Sequence, residues 1–384
     1  MSINQENMEN NILVIVLTLS NGVGGHYYSI SALMNSSIKK KYNFSIVNIG
    51  INDSKILKDI NCSSYDYLKI EKINDTLELL KEIKKIVRRQ KIDIIHCFNE
   101  QIYWLSVMSG VRRNILTKCG GQNVKHFPKV ENLILFSNEN LSYYKKLSSS
   151  QNYFLIPNRV LPFQNDNKRI ERLKSLIGYQ KEDIILLKIA RITKFYKKSI
   201  NESIKITNSL NENNIKAKLI LIGSEVDSDI IDTSLLQNNV HFIFSDDEFT
   251  HNAKEIIDIC DIYIGTGRGI MEASSKNKII LGSTSESNLP VLVNEDTLPT
   301  FMEYNFSERV PIKIEEEAIS KQIISALFDK KNNSKVWFDK YFDIEKVVDV
   351  YDNIYSNLVP TINKFNIKLL KNFLHFIYQI NKCI

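Results

Sequence analysis

Short apolar runs alternate with stretches of helical period along most of the chain. NILVIVLTL (residues 11–19) is followed by a glycine-rich turn, by the amphipathic YYSISALMNSSIKKKY, and by NFSIVNIG, the order of a βαβ unit. The next helix is DTLELLKEIKKIVRRQ, where Leu77, Leu80, Ile83 and Val87 recur three or four apart, and the strand IDIIHCF follows. NILTKCG and NLILFS read as two more strands. QNYFLIPNRV ends in a Pro-Asn turn, and the polar PFQNDNKRIERLKS after it reads as a linker. The pattern then restarts as DIILLKIARI (strand), KSINESIKITNSLNENN (helix), AKLILIG and NVHFIF (strands), FTHNAKEIIDIC (helix), DIYIG (strand), IMEASSKN (helix) and KIILG (strand). From Glu316 onward the period is helical. Alternating β and α elements predict parallel sheets covered by helices on both faces. The expected architecture is α/β, with doubly wound domains over 1–160 and 161–340 and a helical tail over 341–384. Two such domains facing each other would turn the carboxyl ends of both sheets toward one cleft.

Composition changes this picture little. Hydrophobic residues at 43% and charged residues at 24% fit a globular chain of 384 residues, long enough for two cores. The net charge of +6 favours an anionic substrate or surface and is too small to indicate nucleic acid. Cys62, Cys97, Cys119, Cys260 and Cys383 are scattered without CxxC spacing, which speaks against a disulfide framework or zinc site and for a reducing, cytoplasmic compartment. Ile12–Ser20 lacks the length and basic flank of a signal peptide. Asp246-Asp247 has no second acidic pair, so no metal is expected.

Candidate chemistry gathers at three strand-to-helix junctions. In GTGRGIMEA, Gly265, Gly267 and Gly269 allow the backbone to approach a ligand, and the following helix N-terminus offers N–H groups to a phosphate. Glu272 suits ribose hydroxyls. A plain glycine turn with a dipole-stabilising glutamate accounts for the same residues. In KIARITKFYKKSINESI, Arg191 closes a strand, and Lys197 and Lys198 open the next helix, placing a guanidinium fork and mobile ammonium groups where a diphosphate could be neutralised. A solvated basic turn is the alternative for the lysines. In LSNGVGGHYYSI, a dinucleotide fingerprint would need its third glycine at Tyr27, so a nicotinamide cofactor is disfavoured. Gly24 and Gly25 still leave room for a diphosphate or sugar. His26 is read either as a cap or packing residue or, with His96, as an acceptor-side group.

The order NGVGGH, IDIIHCFN, LILFSNENLSYY, LIPNRV, Arg191–Lys198, LILIG and DICDIYIGTGRGIMEASSKNKIILGS resembles the retaining glycosyltransferases of the GT-B fold, family 4. The resemblance implies two facing Rossmann-like domains, with the C-terminal helices returning to the first. It also implies an N-terminal acceptor domain and a C-terminal domain binding a nucleotide-diphosphate sugar. Arg191 and Lys198, with Lys197 as runner-up, would bind the donor diphosphate, Gly24 and Gly25 would lie against its phosphates, and Glu272 would bind ribose. The catalytic candidates are therefore Arg191, Lys198 and Glu272, without metal or cofactor. The family's Glu-x7-Glu motif would place its first glutamate at Ile264, where the carboxylate is missing, and the loop is shorter; Arg268 is the candidate replacement. No histidine matches a base at Cys119-Gly120-Gly121. The expected partners are a nucleotide sugar and a glycan or lipid-linked acceptor of lipopolysaccharide or capsule assembly. A non-catalytic nucleotide-sugar-binding scaffold and a nucleotide-sugar epimerase are the alternatives. In the tail, FNIKLLKNFLHFIYQINKCI interleaves Lys364, Lys368, Lys371, His375 and Lys382 with apolar residues, which suits packing onto the first domain or lying on the inner face of an anionic membrane.

Overall fold

The computed structural model describes residues 10–72, 75–124, 127–147, 152–223, 227, 229–329, 332–361 and 367–383. Two compact units divide the chain: Met1–Leu161 together with Ile344–Ile384, and Pro162–Asp343.

In the first unit, β1 (Asn10–Thr18), β2 (Tyr42–Gly50), β3 (Ser64–Lys69), β4 (Ile94–Cys97), β5 (Arg113–Lys118), β6 (Asn132–Leu135) and β7 (Asn152–Leu155) form one sheet in the order 3-2-1-4-5-6-7. Every pairing is parallel. Period-two alternation sends Ile12, Val14 and Val16 to one face and Leu13, Ile15 and Leu17 to the other, and both faces are buried. The tail helps cover both. The helix Val348–Ser356 adds Val348, Tyr351, Ile354 and Tyr355 to the first face, whereas Leu369, Phe376 and Ile380 of the helix Ile367–Cys383 add to the second. The C-terminal helices thus return to the first unit.

In the second unit, β8 (Ile184–Ile189), β9 (Ala217–Gly223), β10 (Val240–Phe244), β11 (Ile262–Gly265), β12 (Ile279–Gly282) and β13 (Val291–Leu292) take the order 10-9-8-11-12-13, parallel except for β13. Both orders reverse direction beside the first strand of their unit, at β1/β4 and β8/β11. Ligands of doubly wound sheets bind outside the carboxyl ends of the strands at such a reversal.

Several local expectations need correction. PFQNDNKRIERLKS is not a linker throughout, because Asn167–Leu176 is a helix of the second unit. Asp166 caps it by accepting from the Arg169 N–H, and only Ile170 and Leu173 are buried, so a narrow apolar stripe was hidden in polar sequence. FTHNAKEIIDIC is not one helix: Asn252, at φ 48°, separates Asp247–Thr250 from a 3-10 segment at Ala253–Ile259. In Asp75–Arg89 the buried apolar positions among the described side chains are Leu79, Ile83 and Ile86, while Leu80 and Val87 are only partly covered. The Leu77 side chain lies outside the described residues, as do Lys364 and Phe365. Strand β3 (SYDYLK) lacks a clear apolar run, whereas β7 and β13 are only four and two residues long.

Candidate functional site

At the β11 end, two of the three glycines answer to one buried ring. A Cβ at Gly265 or Gly269 would collide with Tyr263, which is almost fully buried. Gly267 has a different reason: its φ of 53° favours glycine, and its N–H donates to the Phe306 carbonyl at 2.8 Å. The helix Arg268–Ser275 starts there. One turn in, Arg268 Nε donates to Glu272 Oε1 at 2.8 Å, with the two side chains only 8% and 12% exposed. Arg268 therefore holds the Glu272 side chain in a fixed orientation, where its oxygens can accept from hydroxyl groups. Ile264 pairs in register with Leu281 and is fully buried, so the position matched to the missing glutamate lies inside the strand. Lys254 also feels the charges of Glu272 and Arg268, and burial lowers its pKa. Its ammonium lies 5.3 Å from the centre of the Phe163 ring.

At the β8 end, Arg191 lies two residues past the strand, exposed, with its guanidinium 5.9 Å from the centre of the Tyr196 ring. Lys197 is exposed as well. Lys198 is more engaged: Nζ donates to Glu202, to the Thr284 carbonyl at 2.5 Å and to the Ser287 carbonyl at 3.1 Å. Three acceptors match the three donors of an ammonium, so an incoming phosphate must displace one of them. Lys198 also ties the loop after β12 to the helix Lys197–Glu212.

Beneath these residues lies a charged group that the sequence reading missed. Lys188, on β8, is 2% exposed, and Glu202 is 3% exposed. Burial pushes Lys188 down to about 8 against the pull of Glu308 and Glu202. Burial raises the Glu308 carboxyl, opposed by a Ser199 hydrogen bond and by Lys188. A lysine inside the apolar run IILLKI was the available signal for Lys188, and the four-residue spacing from Lys198 was the signal for Glu202. Glu308 had none. Because the folded chain releases the Lys188 proton at a lower pH than the unfolded chain, the unfolded state binds more protons between pH 8 and 10.5. Stability should therefore gain from this group across that window, by at most about 3 kcal/mol. Urea unfolding of wild type and Lys188→Met at several pH values should show a rise in the wild type that the variant lacks.

In the first unit, the loop after β1 contains glycines of two kinds. Gly22 has φ 69°, and a Cβ there would stand 2.7 Å from the Asp53 carbonyl oxygen and the Ser54 Cα. Gly24 is extended, and a Cβ would meet the His26 ring at an ordinary 3.5 Å. A Cβ on Gly25 would point into open space at the start of the helix Gly25–Asn35. Packing thus requires glycine at 22 but not at 25. Gly22→Ala should destabilise the protein by more than about 1 kcal/mol, whereas Gly25→Ala should be neutral or slightly stabilising. Thermal unfolding of the two variants checks the contrast, and a loss of donor turnover in stable Gly25→Ala would mark its backbone as ligand-facing.

The two histidines differ. His26 is half-buried, its ring centre 3.8 Å from that of Tyr27. His96 is a correction to the acceptor-side expectation: it is fully buried on β4, its Nδ1 2.8 Å from the Tyr355 hydroxyl and its Nε2 2.7 Å from Thr117 Oγ1. It stacks on Phe98, and burial pushes its pKa down to about 3, leaving a neutral core residue that no acceptor can reach.

No protein-family model matches the sequence, and no curated protein matches it significantly. Solved structures do resemble the fold. Anabaena Alr3699/HepE, in complex with UDP and glucose, matches with a TM-score of 0.63 at 13% identity over 90% of this chain and 99% of its own. The UDP-GlcNAc 2-epimerase of Methanocaldococcus jannaschii matches at 0.58 and 11% identity, over 90% of this chain and all of its own. WaaG, a glycosyltransferase involved in lipopolysaccharide biosynthesis, matches at 0.54 and 11% identity, over 90% and 96%. The chain has the GT-B fold, built from two Rossmann-like α/β units.

Proposed function

We propose that this protein is a retaining glycosyltransferase that moves a hexose-type sugar from a nucleotide-diphosphate sugar to a glycan or lipid-linked acceptor. The observation that carries the reading is the carboxyl end of the second sheet at β8/β11, where Arg191 and Lys197 stand exposed past one strand and Glu272 is held by Arg268 past the other. Cations on one side and a fixed carboxylate on the other suit a diphosphate joined to a ribose. Arg191, with Lys197 or Lys198, stabilises the diphosphate as the anomeric C–O bond breaks. The acceptor oxygen bonds to the anomeric carbon, and its proton passes to the departing phosphate oxygen, so positioning and charge stabilisation are what the protein supplies. In the first unit, Gly24 and Gly25 form the candidate ligand-facing backbone. A role in bacterial surface polysaccharide assembly, and thus work at the cytoplasmic side of a membrane, follows by analogy with relatives such as WaaG.

The likeness to a UDP-GlcNAc 2-epimerase keeps a second reading in view, in which the same site inverts a donor sugar without an acceptor. Incubating wild type and Glu272→Ala with a panel of nucleotide sugars, with and without lipid extract, separates the readings. Acceptor-dependent release of nucleoside diphosphate that fails in Glu272→Ala supports transfer. Conversion of the intact donor into its epimer supports the second reading, and equal inertness of both proteins sinks the transferase reading.

A further inference from the structure

The helix Ile367–Cys383 is apolar on two sides, and only one of them is used by the fold. Its inner side buries Leu369, Phe376 and Ile380 against the first sheet, and Trp104 meets Phe373 edge-on at 4.8 Å. Asn372 pins this side in place: its Nδ2 donates to the Glu100 carbonyl at 2.7 Å, and its Oδ1 accepts from the Trp104 N–H at 3.3 Å. The outer side presents Ile367, Leu370, Leu374 and Tyr378, which are 70%, 36%, 54% and 61% exposed. Their spacing of three, four and four residues gathers them into an arc of about 80° along a helix of roughly 25 Å. Lys371, Lys382, half-buried His375 and Lys368 follow along one flank of that arc, and the segment contains no aspartate or glutamate.

We infer that this outer stripe lies on the surface of an anionic phospholipid bilayer. An apolar ridge beside a row of cations fits a surface that offers negative headgroups above a hydrocarbon interior. The aromatic, hydroxyl-bearing Tyr378 suits the boundary between the two layers. A second copy of the chain fits less well, because face-to-face pairing would set the same lysines against each other. Among the described residues no helix is long and apolar enough to cross a membrane, so the contact is one of lying on the surface. The inference stands apart from the donor-site reading, since none of these residues belongs to that site.

Flotation of the full chain with vesicles tests it. Vesicles of phosphatidylcholine mixed with phosphatidylglycerol should carry wild type upward, those of phosphatidylcholine alone much less, and added salt should weaken the binding. Lys368→Glu/Lys371→Glu should bind the anionic vesicles at least about 20-fold more weakly. Leu370→Asn/Leu374→Asn should lose binding while keeping the wild-type thermal unfolding curve, since both side chains face outward. The inference is overturned if wild type fails to float with anionic vesicles, if both variants float as well as wild type, or if light scattering shows a dimer that the leucine variant dissolves.

Discussion

Arg191→Ala should release nucleoside diphosphate from its sugar donor about 10²- to 10³-fold more slowly than wild type, the range expected when one preorganised donor to a developing anion is removed. The side chain sits past the first strand of the second unit, beside the reversal in strand order, and is exposed. Because it fills no core space, its loss should change stability by no more than about 0.5 kcal/mol. The Tyr196 ring beside the guanidinium makes the site more than a point charge, so Arg191→Lys should recover only part of the rate. Rates at saturating donor, paired with urea unfolding, check both halves of this expectation. A large loss of stability in Arg191→Ala would reassign the residue to structure.

The second large effect concerns Arg268 and Glu272. Their hydrogen-bonded ion pair is close to fully buried, so Arg268→Ala leaves a carboxylate without its partner and should destabilise the protein by about 3–5 kcal/mol. Removing both charges, as in Arg268→Met/Glu272→Met, should restore most of that stability, because a well-packed apolar pair can replace a buried salt bridge. The double variant should nonetheless bind nucleoside diphosphate no better than Glu272→Ala. Urea unfolding and titration calorimetry on the same samples separate the two roles of the pair. Recovered binding in the double variant would mean that Glu272 serves only the fold.

The alternation of apolar runs made the fold legible, since parallel strands buried on both faces read as continuous Val, Ile and Leu runs and the intervening helices keep their own period. Elements without that contrast were harder to see. The helix Asn167–Leu176 buries little, and β3 is half-covered along most of its length. At the site, residue types pointed to Arg191, Lys198 and Glu272, but sequence could not show what each already touches. GTGRGIMEA is the clearest case. Its glycines read as room for a ligand, whereas two of them accommodate Tyr263 and the third turns the backbone. Arg268 stood as a substitute for a lost sugar contact, and its observed partner is Glu272 four residues on. Lys198 likewise carries a structural load that spacing alone did not announce. His96 occupies a strand position, where one residue of register separates a core side chain from its opposite face, and its partners Thr117 and Tyr355 come from distant parts of the chain.

The β8/β11 end of the second sheet should bind a nucleotide-diphosphate sugar. Titration calorimetry of wild type, Arg191→Ala and Glu272→Gln with uridine, guanosine and adenosine diphosphates and their sugars tests it most directly. At least one of these ligands should bind wild type, and both variants should bind it at least about tenfold more weakly at a temperature where unfolding curves show each of them folded, Arg191→Ala unfolding like wild type and Glu272→Gln at a lower midpoint because Arg268 loses its buried partner. Wild type that binds none of them, or variants that bind as tightly as wild type, would contradict the claim.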